Sequence, residues 1–180
     1  MKRAKILFCL ILLFLVTFAG CAFAAIGKWY NPRYLKTYIP PNHKRTVMMQ
    51  HAFAEWEKLT QNKVRFHYVT SPNTAQIEVR FVKTIDPNLG NADKAIGLTR
   101  SRTTSSGKMV HATIWIAEKN QQGRILTNDN VYTVMLHEIG HALGLEHTKN
   151  PVSIMFPAED DVQEIMPADL KKLAEIYNWK

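Results

Sequence analysis

Three histidines and one glutamate fall within eleven consecutive residues, His137-Glu138-Ile139-Gly140-His141-Ala142-Leu143-Gly144-Leu145-Glu146-His147. Histidines four apart on a helix project from one face, one turn above the other, so His137 and His141 can grip a single metal ion. Catalytic zinc usually takes three protein ligands and keeps one position for water, and His147 is the evident third. Glu138 follows the first ligand directly, where a carboxylate can reach a water at the metal without binding the metal itself. That is the position of a general base.

The spacing dictates the supporting structure. Tyr132, Met135, Ile139, Ala142 and Leu143 cluster opposite the histidines at about 100° per residue, so one face of the helix meets a core and the other meets solvent. A straight helix would carry residue 147 away from the other two ligands. Gly144 supplies the required sharp turn, because glycine adopts left-handed backbone angles without steric cost and commonly ends helices. At the other end Asn130, with Thr127, Asn128 and Asp129, offers capping side chains.

The full pattern H-E-x-x-H-x-x-G-x-x-H resembles the metzincin signature, which is accompanied by a downstream methionine turn. Here that turn is Ser153-Ile154-Met155-Phe156-Pro157. Thr148 directly after the third histidine, and Met155-Phe156-Pro157, are similar to the matrixin branch. Ala52-Phe53-x-x-Trp56 followed by Val64-Arg65-Phe66 also looks like the matrixin beginning. The resemblance implies an α+β, zincin-like domain: a twisted, mixed five-stranded sheet with three helices and a zinc cleft beneath an edge strand. It implies one catalytic zinc on His137, His141 and His147, with Glu138 as catalytic base and Met155 as an apolar floor. By the same resemblance Ile96, Gly97 and Leu98 lie on the strand that pairs with substrate, and Phe156 and Pro157 line the pocket wall. The histidine-aspartate loop that carries structural zinc and calcium in animal matrixins is not matched, so no second zinc is carried over. Calcium stays open. His43, His51, His67 and His111 lack ligand spacing and read as surface or structural residues.

The chain begins with Lys2, Arg3 and Lys5, an apolar run from Ile6 to Phe18, and then small residues. This is the three-part pattern of a secretory signal, giving a signal over 1–24 and a catalytic domain over 25–180. Cleavage after Ala22-Phe23-Ala24 would release a soluble product, the preferred reading. Phe18-Ala19-Gly20-Cys21 instead resembles a lipobox, and lipidated Cys21 would anchor the protein to a membrane. Cys9 and Cys21 are the only cysteines, so no disulfide holds the domain. No cysteine is placed to occupy the zinc as in latent animal matrixins, and activity without proteolytic activation is expected.

The formal net charge is +8, with 23 basic and 15 acidic residues. Three of the basic and none of the acidic residues precede Ala25, leaving about +5. The positive charges are scattered and no nucleic-acid-binding motif accompanies them, which argues against a nucleic-acid partner. A monomer is expected.

Along the mature chain, Trp29 and Leu35 to Ile39 read as a first strand, with a helix from about His43 to Thr60 capped by Asn42. The buried face of that helix is expected to carry Val47, Phe53, Ala54 and Trp56, with Gln50 or His51. Val64 to Val69, Gln76 to Val82, Ala95 to Thr99 and Val110 to Ala117 read as the remaining strands, and Pro167 to Asn178 as a last helix. Asp86-Pro87-Asn88 and Gly90 to Asp93 read as polar turns rather than a calcium loop. An exposed edge at Ala95 to Thr99 would let an extended peptide add itself as a strand. The expectation is a secreted zinc endopeptidase acting on protein or peptide substrates; the alternative is an exported zinc-binding or adhesion module without proteolysis.

Overall fold

The computed structural model describes residues 27–89, 96–120, 122–157 and 163–180. The signal segment and residues 90–95 and 158–162 therefore lie outside the description, along with the expected turn Gly90 to Asp93 and most of the acidic loop after Pro157.

Five strands form one sheet: β1 (Leu35–Tyr38), β2 (Phe66–Tyr68), β3 (Ile77–Val82), β4 (Gly97–Thr103) and β5 (Met109–Ala117). Their order is β2-β1-β3-β5-β4. The first three pairings are parallel and β4 runs antiparallel to β5, from Gly97 opposite Ile116 to Thr103 opposite Met109. The helix α1 (Thr46–Leu59) joins β1 to β2, the crossover that a parallel pair requires. With α2 (Asn128–Ala142) and α3 (Pro167–Tyr177) this is the expected α+β fold with a mixed sheet and three helices.

Alternation along the strands places the core. Ala112, Ile114 and Ile116 of β5 and Ile77 and Val79 of β3 are fully buried, and α2 packs against β4, β5 and α1. From α2, Met135, Ile139 and Ala142 enter the same core, with Leu143 just beyond the helix end, while Tyr132 is half-buried and donates to Glu55 Oε2 at 2.6 Å.

Several boundaries differ from the sequence expectation. Trp29 precedes β1 as a separate buried anchor rather than a part of that strand. Helix α1 starts at Thr46, and Asn42 does not cap it: Thr46 Oγ1 donates to Pro40 O at 2.6 Å and accepts from His43 N at 3.2 Å, folding residues 40–45 into a turn. Its buried face is Met49, Ala52, Phe53 and Trp56, whereas Val47 is 60% exposed and Ala54 is also exposed. Phe53 and Trp56 lie on the buried face as expected, while Met49 and Ala52 complete it in place of Val47 and Ala54, with Gln50 half-buried and His51 exposed; the turn at 40–45 fixes that rotation. Strand β4 runs on to Thr103, and β5 begins one residue early, at Met109.

Candidate metal centre

Helix α2 is held along its length by side chains from distant elements. Thr127 is its N-cap, accepting from Asn130 N at 3.2 Å, so the cap is Thr127 and not Asn130. Trp56 Nε1 donates to Leu136 O at 3.0 Å, Trp29 Nε1 to Ala142 O at 2.8 Å, and the Tyr177 hydroxyl to Leu143 O at 3.0 Å. The last two satisfy carbonyls that a helix end otherwise leaves unpaired. These three aromatics therefore fix both the depth and the rotation of the helix that carries His137 and His141.

The helix ends as the glycine predicts. Gly144 has φ +103°, its N–H donates to His141 O at 3.0 Å, and Leu145 N–H donates to Gly140 O at 3.0 Å. This paired arrangement is a Schellman motif, and it turns the chain back on the helix. Leu145 O consequently returns to accept from His141 Nδ1 at 2.8 Å. The next residues bring His147 to the other two imidazoles.

The methionine turn meets the helix from below. A Cβ at Gly140 would lie 2.4 Å from Met155 Sδ, so only a glycine lets Met155 pack there, and Met155 is 2% exposed. Thr148 N donates to Met155 O at 3.1 Å, tying the third-ligand loop to the turn. His137 Nδ1 donates to Ile154 O at 2.7 Å. The turn itself is anchored by Asp169, buried at the start of α3. Its carboxylate accepts from the Ser153 hydroxyl, from Ile154 N at 3.3 Å and from Met166 N at 2.9 Å. Ser153 Oγ in turn accepts from Met155 N at 3.0 Å.

With both Nδ1 atoms of His137 and His141 donating to carbonyls, their Nε2 atoms are left as lone-pair donors. His137 Nε2 and His147 Nε2 are 3.1 Å apart, and one ligand atom from each of the three histidines lies within 4.8 Å of the others. Nitrogens bound about 2.0–2.1 Å from a tetrahedral zinc lie roughly 3.3 Å apart, so the group fits that ion. Protonation states fit too. Burial lowers His137 to about 4 and His141 to about 3, and it lowers His147, which keeps the imidazoles neutral and ready to ligate. Among the described residues this is the one such cluster of potential ligands.

Glu138 lies with its carboxylate against β4. It is 5% exposed, burial raises its carboxyl to about 7, and the Thr99 hydroxyl, which donates to Oε2 at 2.6 Å, opposes that rise. The remaining expected site residues are distributed as follows. Gly97 lies against Glu138, where a Cβ would sit 2.5 Å from Oε1, and Leu98 is half-buried beside it on β4. Ile96 is 4% exposed and its carbonyl accepts from Ala117 N at 2.8 Å, so its side chain belongs to the core and its carbonyl to the sheet. Phe156 is half-buried and Pro157 exposed, directly after the methionine turn. Asp86 Oδ1 accepts from both Asn88 N and Asn88 Nδ2 at 2.9 Å, which closes a local polar turn. The other histidines stay apart from the cluster: His43 stacks on Phe81 and His67 lies against Tyr34. Sequence reasoning missed Asp169 and Thr99, and read Trp56 only as core. An acidic residue in the first turn of α3 was the one visible sign of Asp169.

The matrixin family model matches residues 32–178. The chain is 30% identical over 145 residues to "Probable matrix metalloproteinase 095L" of Invertebrate iridescent virus 3, covering 75% of this chain and 38% of that protein. It is 28% identical over 132 residues to the macrophage metalloelastase of Oryctolagus cuniculus, covering 72% of this chain and 28% of that protein. A shorter stretch of 56 residues is 39% identical to human matrix metalloproteinase-15, 29% of this chain and 8% of that one. The chain thus spans well under half the length of the relatives it matches. The match covers everything from the turn before β1 to the end of α3, and on that extent this chain belongs to the matrixin family.

Proposed function

We propose that this protein is a zinc-dependent endopeptidase that hydrolyses peptide bonds in extended protein substrates. The observation that carries this reading is the juxtaposition of a three-imidazole cluster, two members from α2 and one from the turn after it, with a buried carboxylate of the same helix next to the sheet's edge strand. Zinc on His137, His141 and His147 would supply Lewis-acid polarisation of the scissile carbonyl and of water. Glu138 acts as the general base: its carboxylate takes the proton of the attacking water and delivers it to the leaving amine nitrogen. Seclusion of the carboxylate from solvent raises its basicity and keeps the proton from escaping to bulk water. Strand β4 is the open edge on that side of the sheet, and an extended peptide can align its backbone there as a sixth strand. Leu98 with Phe156 and Pro157 are proposed to contact the substrate side chains, and Ile96 and Gly97 to contribute through the backbone. Met155 supports the ligand shell from below.

We further propose that residues 1–24 direct export and that the domain acts outside the cytoplasm as a monomer. The basic start and apolar run of the first residues support this. Among the described residues no helix is long and apolar enough to cross a membrane. Lipidation of Cys21 is the alternative, and intact mass of the processed protein separates the two. The test of the catalytic reading is Glu138→Ala. Zinc content is expected to stay at parent level while turnover of an unstructured peptide falls at least about a thousandfold. A variant that binds zinc and still cleaves at near the parent rate refutes the assignment.

A further inference from the structure

The clamp on Glu138 reaches beyond its own helix. Thr99 and Gly97 are two apart on β4, so both face the helix side of the sheet. The Thr99 hydroxyl lies 2.6 Å from Glu138 Oε2 and 2.9 Å from the backbone carbonyl oxygen of the same residue. The single hydroxyl proton lies between two acceptors of Glu138, nearer to Oε2 than to the carbonyl oxygen, which fixes the carboxylate relative to its own helix. Gly97 closes the other side. A Cβ there would meet Oε1 at 2.5 Å, Glu138 Cγ at 2.7 Å and Val134 Cγ1 at 2.6 Å, so the strand backbone is the wall against which the side chain rests. Among the described residues no donor reaches Oε1.

Resting on the endopeptidase reading above, we propose that Thr99 is a positioning residue for Glu138: its hydroxyl anchors Oε2, and Oε1 is left as the oxygen that exchanges the proton. The strand proposed to receive the substrate backbone on its outer edge thereby holds the base between the Thr99 side chain and the Gly97 backbone. Peptide alignment and base alignment then share one rigid element, β4, whose register against β5 is set by pairing from Gly97 to Thr103. Freed from the hydroxyl, the carboxylate loses its fixed rotamer while the imidazoles of His137 and His141 keep theirs, because their partners, Ile154 O and Leu145 O, lie elsewhere.

The test compares Thr99→Val, which keeps the branched shape and removes the hydroxyl, with Thr99→Ser, which keeps the hydroxyl. For Thr99→Val the expected result is a fall in kcat of about tenfold to a hundredfold, the scale of one hydrogen bond to a charged group. KM is expected to stay within about twofold and zinc content unchanged, since the base and not the pairing edge is disturbed. Thr99→Ser should recover most of the rate. Unchanged kcat in Thr99→Val, or equal losses in both variants, overturns the proposal. Crystal structures of the parent and of Thr99→Val judge the clamp independently of cleavage: the Glu138 carboxylate should leave its parent position, and a carboxylate that stays put overturns the proposal. A parent protein that binds zinc without cleaving peptides would count against the endopeptidase reading, and the crystallographic comparison would still decide the clamp.

Discussion

Replacing Asp169 by alanine should weaken both the fold and the metal site, although Asp169 is not one of the three metal-binding histidines. Its buried carboxylate satisfies three donors, Ser153 Oγ, Ile154 N and Met166 N. The serine hydroxyl can rotate, but the two backbone N–H groups cannot, and each buried donor left unpaired costs about 1–3 kcal/mol. A loss of about 4 kcal/mol is therefore expected. For a domain of this size, about 2–4 °C of Tm per kcal/mol gives a drop of about 8–16 °C, small enough to leave a folded protein. The same change reaches the metal site through one residue: Asp169 holds Ile154 N, and Ile154 O orients His137 Nδ1 at 2.7 Å. Loss of a partner that orients a ligand typically costs about 10–100-fold in metal affinity. Asp169→Asn keeps an acceptor for the two N–H groups and should lose less than half as much. Thermal melting of the metal-free proteins and competition for zinc against a chelator measure the two effects. An alanine variant that melts within about 2 °C of the parent and holds zinc equally well would refute the reasoning.

Further outcomes follow from the same geometry. Gly97→Val should abolish cleavage while zinc content is kept, because the new side chain enters the space of the Glu138 carboxylate; undiminished cleavage counts against the close packing of β4 on α2. Gly144→Ala should cost about 1–3 kcal/mol from its positive φ and weaken zinc binding through His147, read by urea unfolding and metal content. Zinc at a thousandfold above its Kd should stabilise by about 4 kcal/mol, raising Tm by about 8–16 °C, reversibly with chelator. In the metal-free protein, burial holds His137 to about 4 and His141 to about 3 against an ordinary 6.5. Below 6.5 the unfolded chain takes up protons that the folded histidines refuse, so their contribution to stability is full above that pH and falls as pH drops toward 4, while the raised Glu138 carboxyl contributes with the opposite sign between about 4.5 and 7. Urea midpoints at both ends of that window measure this, and His141→Ala should flatten the dependence.

Much of the site was legible because its logic is local. His137, Glu138 and His141 are placed by helical spacing, and Gly144 announces the turn that returns His147. Alternation located β2 and β3, and the mixed five-stranded sheet came from the resemblance carried by the zinc motif. What escaped the sequence was long-range or degenerate. Four consecutive capping residues, Thr127 to Asn130, offer the same chemistry, and only the structure selects Thr127. Apolar residues at 47, 48, 49, 52, 53, 54 and 56 allow two phases for α1, and the turn anchored by Thr46 on Pro40 decides between them. The bonds of Trp29, Trp56 and Tyr177 to the backbone of α2 span 34 to 113 residues, and no local pattern encodes them. Thr99 reads as a strand threonine until β4 is laid against Glu138.

The most direct test of the account is a zinc titration of the metal-free protein, with bound metal and cleavage of a quenched, unstructured peptide measured on the same samples. Cleavage should rise in proportion to the first equivalent of zinc, stop rising at one per chain, and vanish on chelation. Cleavage independent of metal content, or one tightly bound zinc with no cleavage, would contradict it.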